Sequence, residues 1–231
     1  MGPEQQILLV GLVGGVVALD TTAAWQIMIS QPIICCPLIG FLLGDPQSGL
    51  IVGLLMEFLW LAFVPTGASF FPDGNLGSLV TAALASVGIS GAGPLSPMGF
   101  FVVMAYGIAL SYLGGKVIVW KRKWNGKRLH RWEGMGIRGN LKRFSLSFSL
   151  RLLETFIIGF LFAGIMFWWG WWLLPKLIRL IPSSFNPIFL PLKAALLGLG
   201  GAVMLKLFYS RRKMALLGAG LVVGMVLALS F

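Results

Sequence analysis

Asp20, Glu57 and Asp73 are three carboxylates set among apolar residues, in an N-terminal half whose hydrophobic runs are interrupted by Pro and Gly. Gln26 and Asn75 lie beside them in the chain. A charge at bilayer depth costs at least ~2.5 kcal/mol, so such a residue faces a cavity or the bundle interior and marks a substrate or ion path. Carboxylates and amides accept and donate hydrogen bonds in pairs, which is what a neutral polyol such as a sugar needs. Trp25 and Trp60 can supply an apolar ring face. The residue types predict a substrate-binding set of Gln26, Glu57, Asp73, Asp20 and Asn75. A plainer role stands beside each. Asp20 and Asp73 suit turns or helix caps, Gly74-Asn75 is ordinary turn chemistry, and Asp45 in Gly44-Asp45-Pro46 reads as a turn former.

Little else in the chain suggests chemistry. The single histidine, His130, sits among basic residues and reads as a solvated side chain. No His/Cys/Asp cluster has metal-ligand spacing, and no Gly-x-Ser-x-Gly turn presents a nucleophile. Cys35 and Cys36 are adjacent and apolar in context, so they read as small packing residues. The glycines are spread through apolar runs, where they let helices approach closely. No catalytic residue, metal or cofactor is expected, and a membrane enzyme is disfavoured.

The elements that must hold these residues are membrane helices. The chain has 231 residues, 58% hydrophobic and 11% charged, with mean hydropathy +0.91. Soluble domains carry roughly 25% charged residues. The apolar runs do not alternate, which excludes a transmembrane β-barrel. The fold class expected is all-α, a polytopic membrane protein with six to eight helical segments, some re-entrant or broken in the N-terminal half. The first run, 5–19, lacks a cationic leader and cleavage site, so it is expected to remain as structure. Pro32 to Gly44 is too short to cross unaided. Leu50 to Val64 carries Glu57 and stops at Pro65-Thr66-Gly67. Runs at 76–87, 98–120, 150–174, 189–208 and 214–231 follow, with a Gly/Pro/Ser-rich turn over 88–97. Two interrupted hydrophobic pieces near polar side chains are the pattern of discontinuous helices at a transport site.

Eleven of the 18 Lys and Arg residues lie between Lys116 and Arg151, opposed there only by Glu133. This predicts a basic cytoplasmic loop over 116–149, between a substrate-site half at 1–115 and a three-helix half at 150–231. Its role is topological, beside anionic lipid; docking of an acidic cytoplasmic partner is the other reading, and nucleic-acid binding is disfavoured. With that loop inside, 175–187 falls outside and 209–213 inside; Arg211, Arg212 and Lys213 agree, while Lys176 and Arg179 oppose it and are outweighed by the larger cluster. The Phe167–Trp172 cluster reads as an interfacial aromatic belt.

Several ordered blocks resemble a known family. Leu19-Asp20-Thr21-Thr22-Ala23-Ala24-Trp25-Gln26-Ile27-Met28-Ile29-Ser30-Gln31-Pro32, then 37–45, 49–57, Gly67 and Pro72-Asp73, are similar to membrane subunit IIC of the mannose/fructose/sorbose family of phosphotransferase-system (PTS) sugar permeases. The resemblance covers roughly residues 5 to 90. It implies a permease subunit that moves a mannose-type hexose across the bacterial inner membrane with a IID membrane partner. Cytoplasmic IIA and IIB subunits would relay phosphate from phosphoenolpyruvate onto the sugar and carry the phosphorylated histidines. It places the sugar site at Gln26, Glu57 and Asp73, with Asp20 nearby, and implies several protomers. Two positions depart from the family: Gln31 stands where Arg is common, and neither Pro65 nor Thr66 is the Asn of some members. A regulatory or sensing membrane component, or a transporter of another small polar solute, is the alternative.

Overall fold

The computed structural model describes residues 1–61, 70–88, 95–133, 141–189, 191–207 and 218–219. The Pro65-Thr66-Gly67 stop, Arg138, the 211–213 basic group and most of the 214–231 run lie outside the described residues. Among the described residues the chain is helical, with no strand.

Helix α1 spans Pro3–Thr22, with Pro3 at its first position, where a missing N–H costs nothing. It lies along α6. The two backbones approach closely because the contact is built from small residues: a Cβ on Gly14 would come within 2.3 Å of the Ala163 Cβ, and one on Gly159 within 2.4 Å of the Ala18 Cβ.

Helices α2 (Pro32–Leu43) and α3 (Pro46–Trp60) form a hairpin. The Gly44-Asp45-Pro46 signal is a helix–helix turn: the Asp45 carboxylate accepts from the Ser48 N–H at 3.0 Å, capping α3, and Pro46 opens it. Twelve residues in α2 rise about 18 Å, well short of the ~30 Å hydrocarbon layer. These are the short pieces anticipated for the N-terminal half.

Helix α4 (Gly74–Ser86) is the centre of the molecule. It touches α1, α2, α3, α5 and α6, and all its residues but Asn75 and Ser86 are buried. Small side chains make that possible. Its buried hydroxyls have no water to turn to, so Ser78 and Thr81 donate to the carbonyls of Gly74 and Gly77 at 2.5 and 2.6 Å.

Helices α5 (Pro97–Glu133) and α6 (Leu141–Leu180) are much longer than the apolar runs suggest. At 37 and 40 residues they rise about 55 and 60 Å, so both project beyond a bilayer. The segment read as a basic loop is helical over 116–133 and again from Leu141, and His130 lies on α5. Bonds between the two helices hold this projection together: Arg128 pairs with Glu154 at 3.0 Å, and Lys121 Nζ donates to Thr155 Oγ1 at 2.6 Å. Farther along, the Tyr106 hydroxyl donates to the Met166 carbonyl at 2.7 Å. A short turn (Ser183–Phe185), α7 (Asn186–Phe189) and α8 (Leu192–Leu207) complete the described chain, with α8 packed on α3.

Three helical stretches are long and apolar enough to cross a membrane: Pro3–Thr22, Pro97–Arg128 and Ser145–Leu180. Trp168, Trp169, Trp171 and Trp172 are exposed on α6, as a belt requires, while Phe167 is buried. Trp120 and Trp124 are exposed on α5, level with Thr155. From Thr155 to Trp172 is about 25 Å along α6, close to one hydrocarbon thickness.

Candidate functional site

The cavity begins with a turn. After α1 the chain reverses through residues 23–31, and Asp20 holds that reversal. Its two carboxylate oxygens accept from the backbone N–H groups of Ile27 at 2.9 Å and Ser30 at 2.8 Å. The turn needs that support, because Trp25, Gln26 and Met28 all have positive φ, at 61°, 50° and 68°. A side-chain-bearing residue in that region costs of order 1 kcal/mol or more and persists only where its surroundings fix it. Gln26 is thereby exposed, facing a concave space.

Glu57 approaches the same space from α3. Its Oε2 accepts from the Ile33 N–H at 3.2 Å, one of the orphan donors at the start of α2. Asp73 caps α4: Oδ1 accepts from the Leu76 N–H at 3.2 Å, and its own N–H donates to the Ser111 carbonyl at 2.7 Å. Asp73 lies hard against α5 because residue 114 is glycine; a Cβ there would stand 2.8 Å from the Asp73 Cβ. Asn75 Nδ2 donates to Thr21 Oγ1 at 3.1 Å, tying the start of α4 to the end of α1.

All five candidate residues, Asp20, Gln26, Glu57, Asp73 and Asn75, line one cavity of about 1140 Å³. That exceeds the roughly 300–1,000 Å³ of a closed small-molecule pocket, as an open vestibule would. Trp60 is on its wall, packed edge-on to Tyr112 at 6.3 Å between ring centroids. Trp25, the other proposed ring face, is 65% exposed and is not among the lining residues. The plainer roles also exist: Asp20 and Asp73 do act as turn and cap residues, with oxygen lone pairs left over.

A second group of lining residues was not anticipated as part of a site. Lys121, Arg122 and Asn125 of α5 and Arg151 and Thr155 of α6 line the same cavity. Arg151 donates to Asn125, and the Arg122 guanidinium lies 5.2 Å from the Phe71 ring centroid. Lys121 and Asp73 interact electrostatically. The signal was present as helical spacing: 121, 122 and 125 on one helix, and 151 and 155 on the other, each form one face. Reading the segment as a loop concealed it. Among the described residues, no group of three or more His, Cys, Asp or Glu is placed to hold a metal ion.

Residues 5–231 match the family model for the PTS system sorbose-specific IIC component. The chain belongs to that family. The sorbose-specific EIIC component of Lacticaseibacillus casei is 32% identical over 83 residues, 36% of this chain and 30% of the relative. The mannose-specific EIIC component of Escherichia coli (strain K12) is 31% identical over 83 residues, 36% of this chain and 31% of the relative. The fructose permease IIC component of Bacillus subtilis (strain 168) is 26% identical over 112 residues, 48% of this chain and 39% of the relative. The chain therefore spans less than half the length of each of these IIC relatives. A solved structure described as "Structure of membrane protein" superposes with TM-score 0.68 at 23% identity, over 98% of this chain and 90% of the other. That likeness establishes a shared helical fold and nothing about ligands.

Proposed function

We propose that this IIC-family chain is the permease subunit of a phosphoenolpyruvate-dependent sugar phosphotransferase system, and that it binds and translocates a mannose-type hexose. One observation carries the reading: polar residues from the 23–31 turn, α3 and the start of α4 meet on one cavity wall of a chain whose relatives are named for sorbose, mannose and fructose.

The geometry supports a division of labour. Gln26 and Asn75 have amide groups that both donate and accept, and Glu57 keeps one oxygen beyond its bond to Ile33. These groups take sugar hydroxyls, and the Trp60 ring packs the apolar face of the sugar. Asp20 keeps the Gln26 turn in shape, and Asp73 fixes the start of α4 and offers its second oxygen. The chain itself makes and breaks no bond. Phosphoryl transfer falls to cytoplasmic IIA and IIB partners, and a IID-like membrane subunit completes the transport path. The assembly has several protomers and sits in the bacterial inner membrane, with the projecting basic ends of α5 and α6 in the cytoplasm.

The test is uptake of labelled hexoses by cells with and without the chain, partner subunits being present in both. Chain-dependent accumulation of phosphorylated hexose is expected. Equal uptake in both cell types, for every hexose tried, would remove the permease assignment.

A further inference from the structure

The residues proposed above to bind sugar are one part of the cavity lining. The same lining carries three cations, Lys121, Arg122 and Arg151, where a neutral hexose needs none. Lys121 and Arg151 keep donors beyond those their neighbours take. Lys121 uses one of its three N–H groups on Thr155. Arg151 bonds Asn125 and lies 4.0 Å from Glu154, with five N–H groups to distribute. Glu154, which also pairs with Arg128, is not on the cavity wall. The acids lining the cavity come from other elements, Asp20 from α1, Glu57 from α3 and Asp73 from the start of α4, and Asp73 interacts electrostatically with Lys121. Asp73 rests against Gly114, seven residues or about 10 Å along α5 from Lys121.

The cavity is thus polar in two senses: a set of carboxylates and amides suited to hydroxyls, and a set of cations from α5 and α6. A ligand matching both sets has a polyol body and an anionic group. We propose that Lys121, Arg122 and Arg151 form a binding site for a phosphate monoester, so that the cavity holds the phosphorylated sugar as well as the free one. Clustered Arg and Lys donors are suited to a phosphate dianion, whose oxygens accept several charge-assisted hydrogen bonds at once. This rests on the permease reading, since a phosphorylated sugar is the product that reading implies. The same phosphate chemistry is present in anionic lipid headgroups. The exposed Trp120 and Trp124 beside these cations put them at headgroup level, so the two sources must be separated by experiment.

The full chain, purified with its membrane partner in phosphatidylcholine nanodiscs, is titrated with mannose, mannose 6-phosphate and inorganic phosphate. Mannose 6-phosphate is expected to bind at least about tenfold more tightly than mannose, with inorganic phosphate competing against it alone. Lys121→Gln, Arg122→Gln and Arg151→Gln are each expected to cut that affinity ratio about tenfold. Lys121→Arg and Arg151→Lys should retain most of it, which separates charge from helix packing. A ratio near one in the unaltered protein overturns the proposal, as does a ratio that survives all three glutamine variants. Loss of the ratio on adding phosphatidylglycerol to the discs also overturns it, by making lipid the occupant. If mannose does not bind the unaltered protein at all, the permease reading itself fails. If mannose binds and the phosphate advantage is missing, only this inference fails.

Discussion

At the scale of single residues, the acids of this IIC-family chain differ in what they hold. Glu57 faces the cavity with a free oxygen, so Glu57→Gln should weaken sugar binding mildly, because an amide still accepts and donates. Asp20 is different. Its carboxylate takes two backbone N–H groups, and Asp20→Ala would leave both without their partner, at about 1–3 kcal/mol each. Asp20→Ala is therefore expected to expose the 23–31 turn to proteolysis as well as to lower sugar affinity. Asp20→Asn should protect the turn better. If Asp20→Ala left cleavage unchanged, the bracing role would be wrong. The five polar residues were picked out in the sequence by two arguments, the acids by the cost of a charge in lipid and Gln26 and Asn75 as amides beside them. Their individual bonds were not legible, because a cap such as Asp73 and a ligand look alike until the helix start is fixed.

At the scale of elements, the largest difference between sequence and structure is the basic segment. Charge density reads as a loop, yet Lys and Arg are good helix formers, and nothing between Lys116 and Glu133 breaks a helix except the tolerated Gly126. The consequence can be measured. A loop tolerates proline, whereas Lys127→Pro in the interior of α5 should cost about 3 kcal/mol or more and lower the melting temperature of the purified protein. An unchanged melt would restore the loop. The contact between α1 and α6 makes a second case. Gly14→Leu forces a side chain into space already filled by Ala163, and overpacking of this kind costs about 1–3 kcal/mol. A thermal melt in detergent reads it, and a stable Gly14→Leu protein would mean the helices are not packed as described. Close packing of this sort was visible in the sequence only as scattered glycines; which helix each one meets depends on the tertiary fold. The central burial of α4 was equally hidden, since its Gly, Ser, Thr and Ala residues look mild rather than core-like.

At the scale of the whole molecule, orientation follows from where the cations collect. The ends of α5 and α6 that carry them should face the cytoplasm, and Lys176, over the Trp172 ring at 3.2 Å, should face outward. Cys35 and Cys36 are fully buried, so a membrane-impermeant maleimide has little native background. Lys127→Cys is expected to label only after the cytoplasmic face is opened, and Lys176→Cys in intact cells. The reverse pattern would invert the topology. The mixed lining of the cavity is a property of this scale too. Its acidic residues come from elements before residue 76 and its basic ones from α5 and α6. No single stretch of sequence contains it.

Equilibrium binding of a hexose to the purified complex, compared between the unaltered chain and Glu57→Ala, bears most directly on whether this cavity is where sugar sits. With melting temperatures matched, Glu57→Ala should bind at least about tenfold more weakly, the loss of a charge-assisted hydrogen bond. An identical Kd in a protein that melts at the same temperature would place the sugar elsewhere.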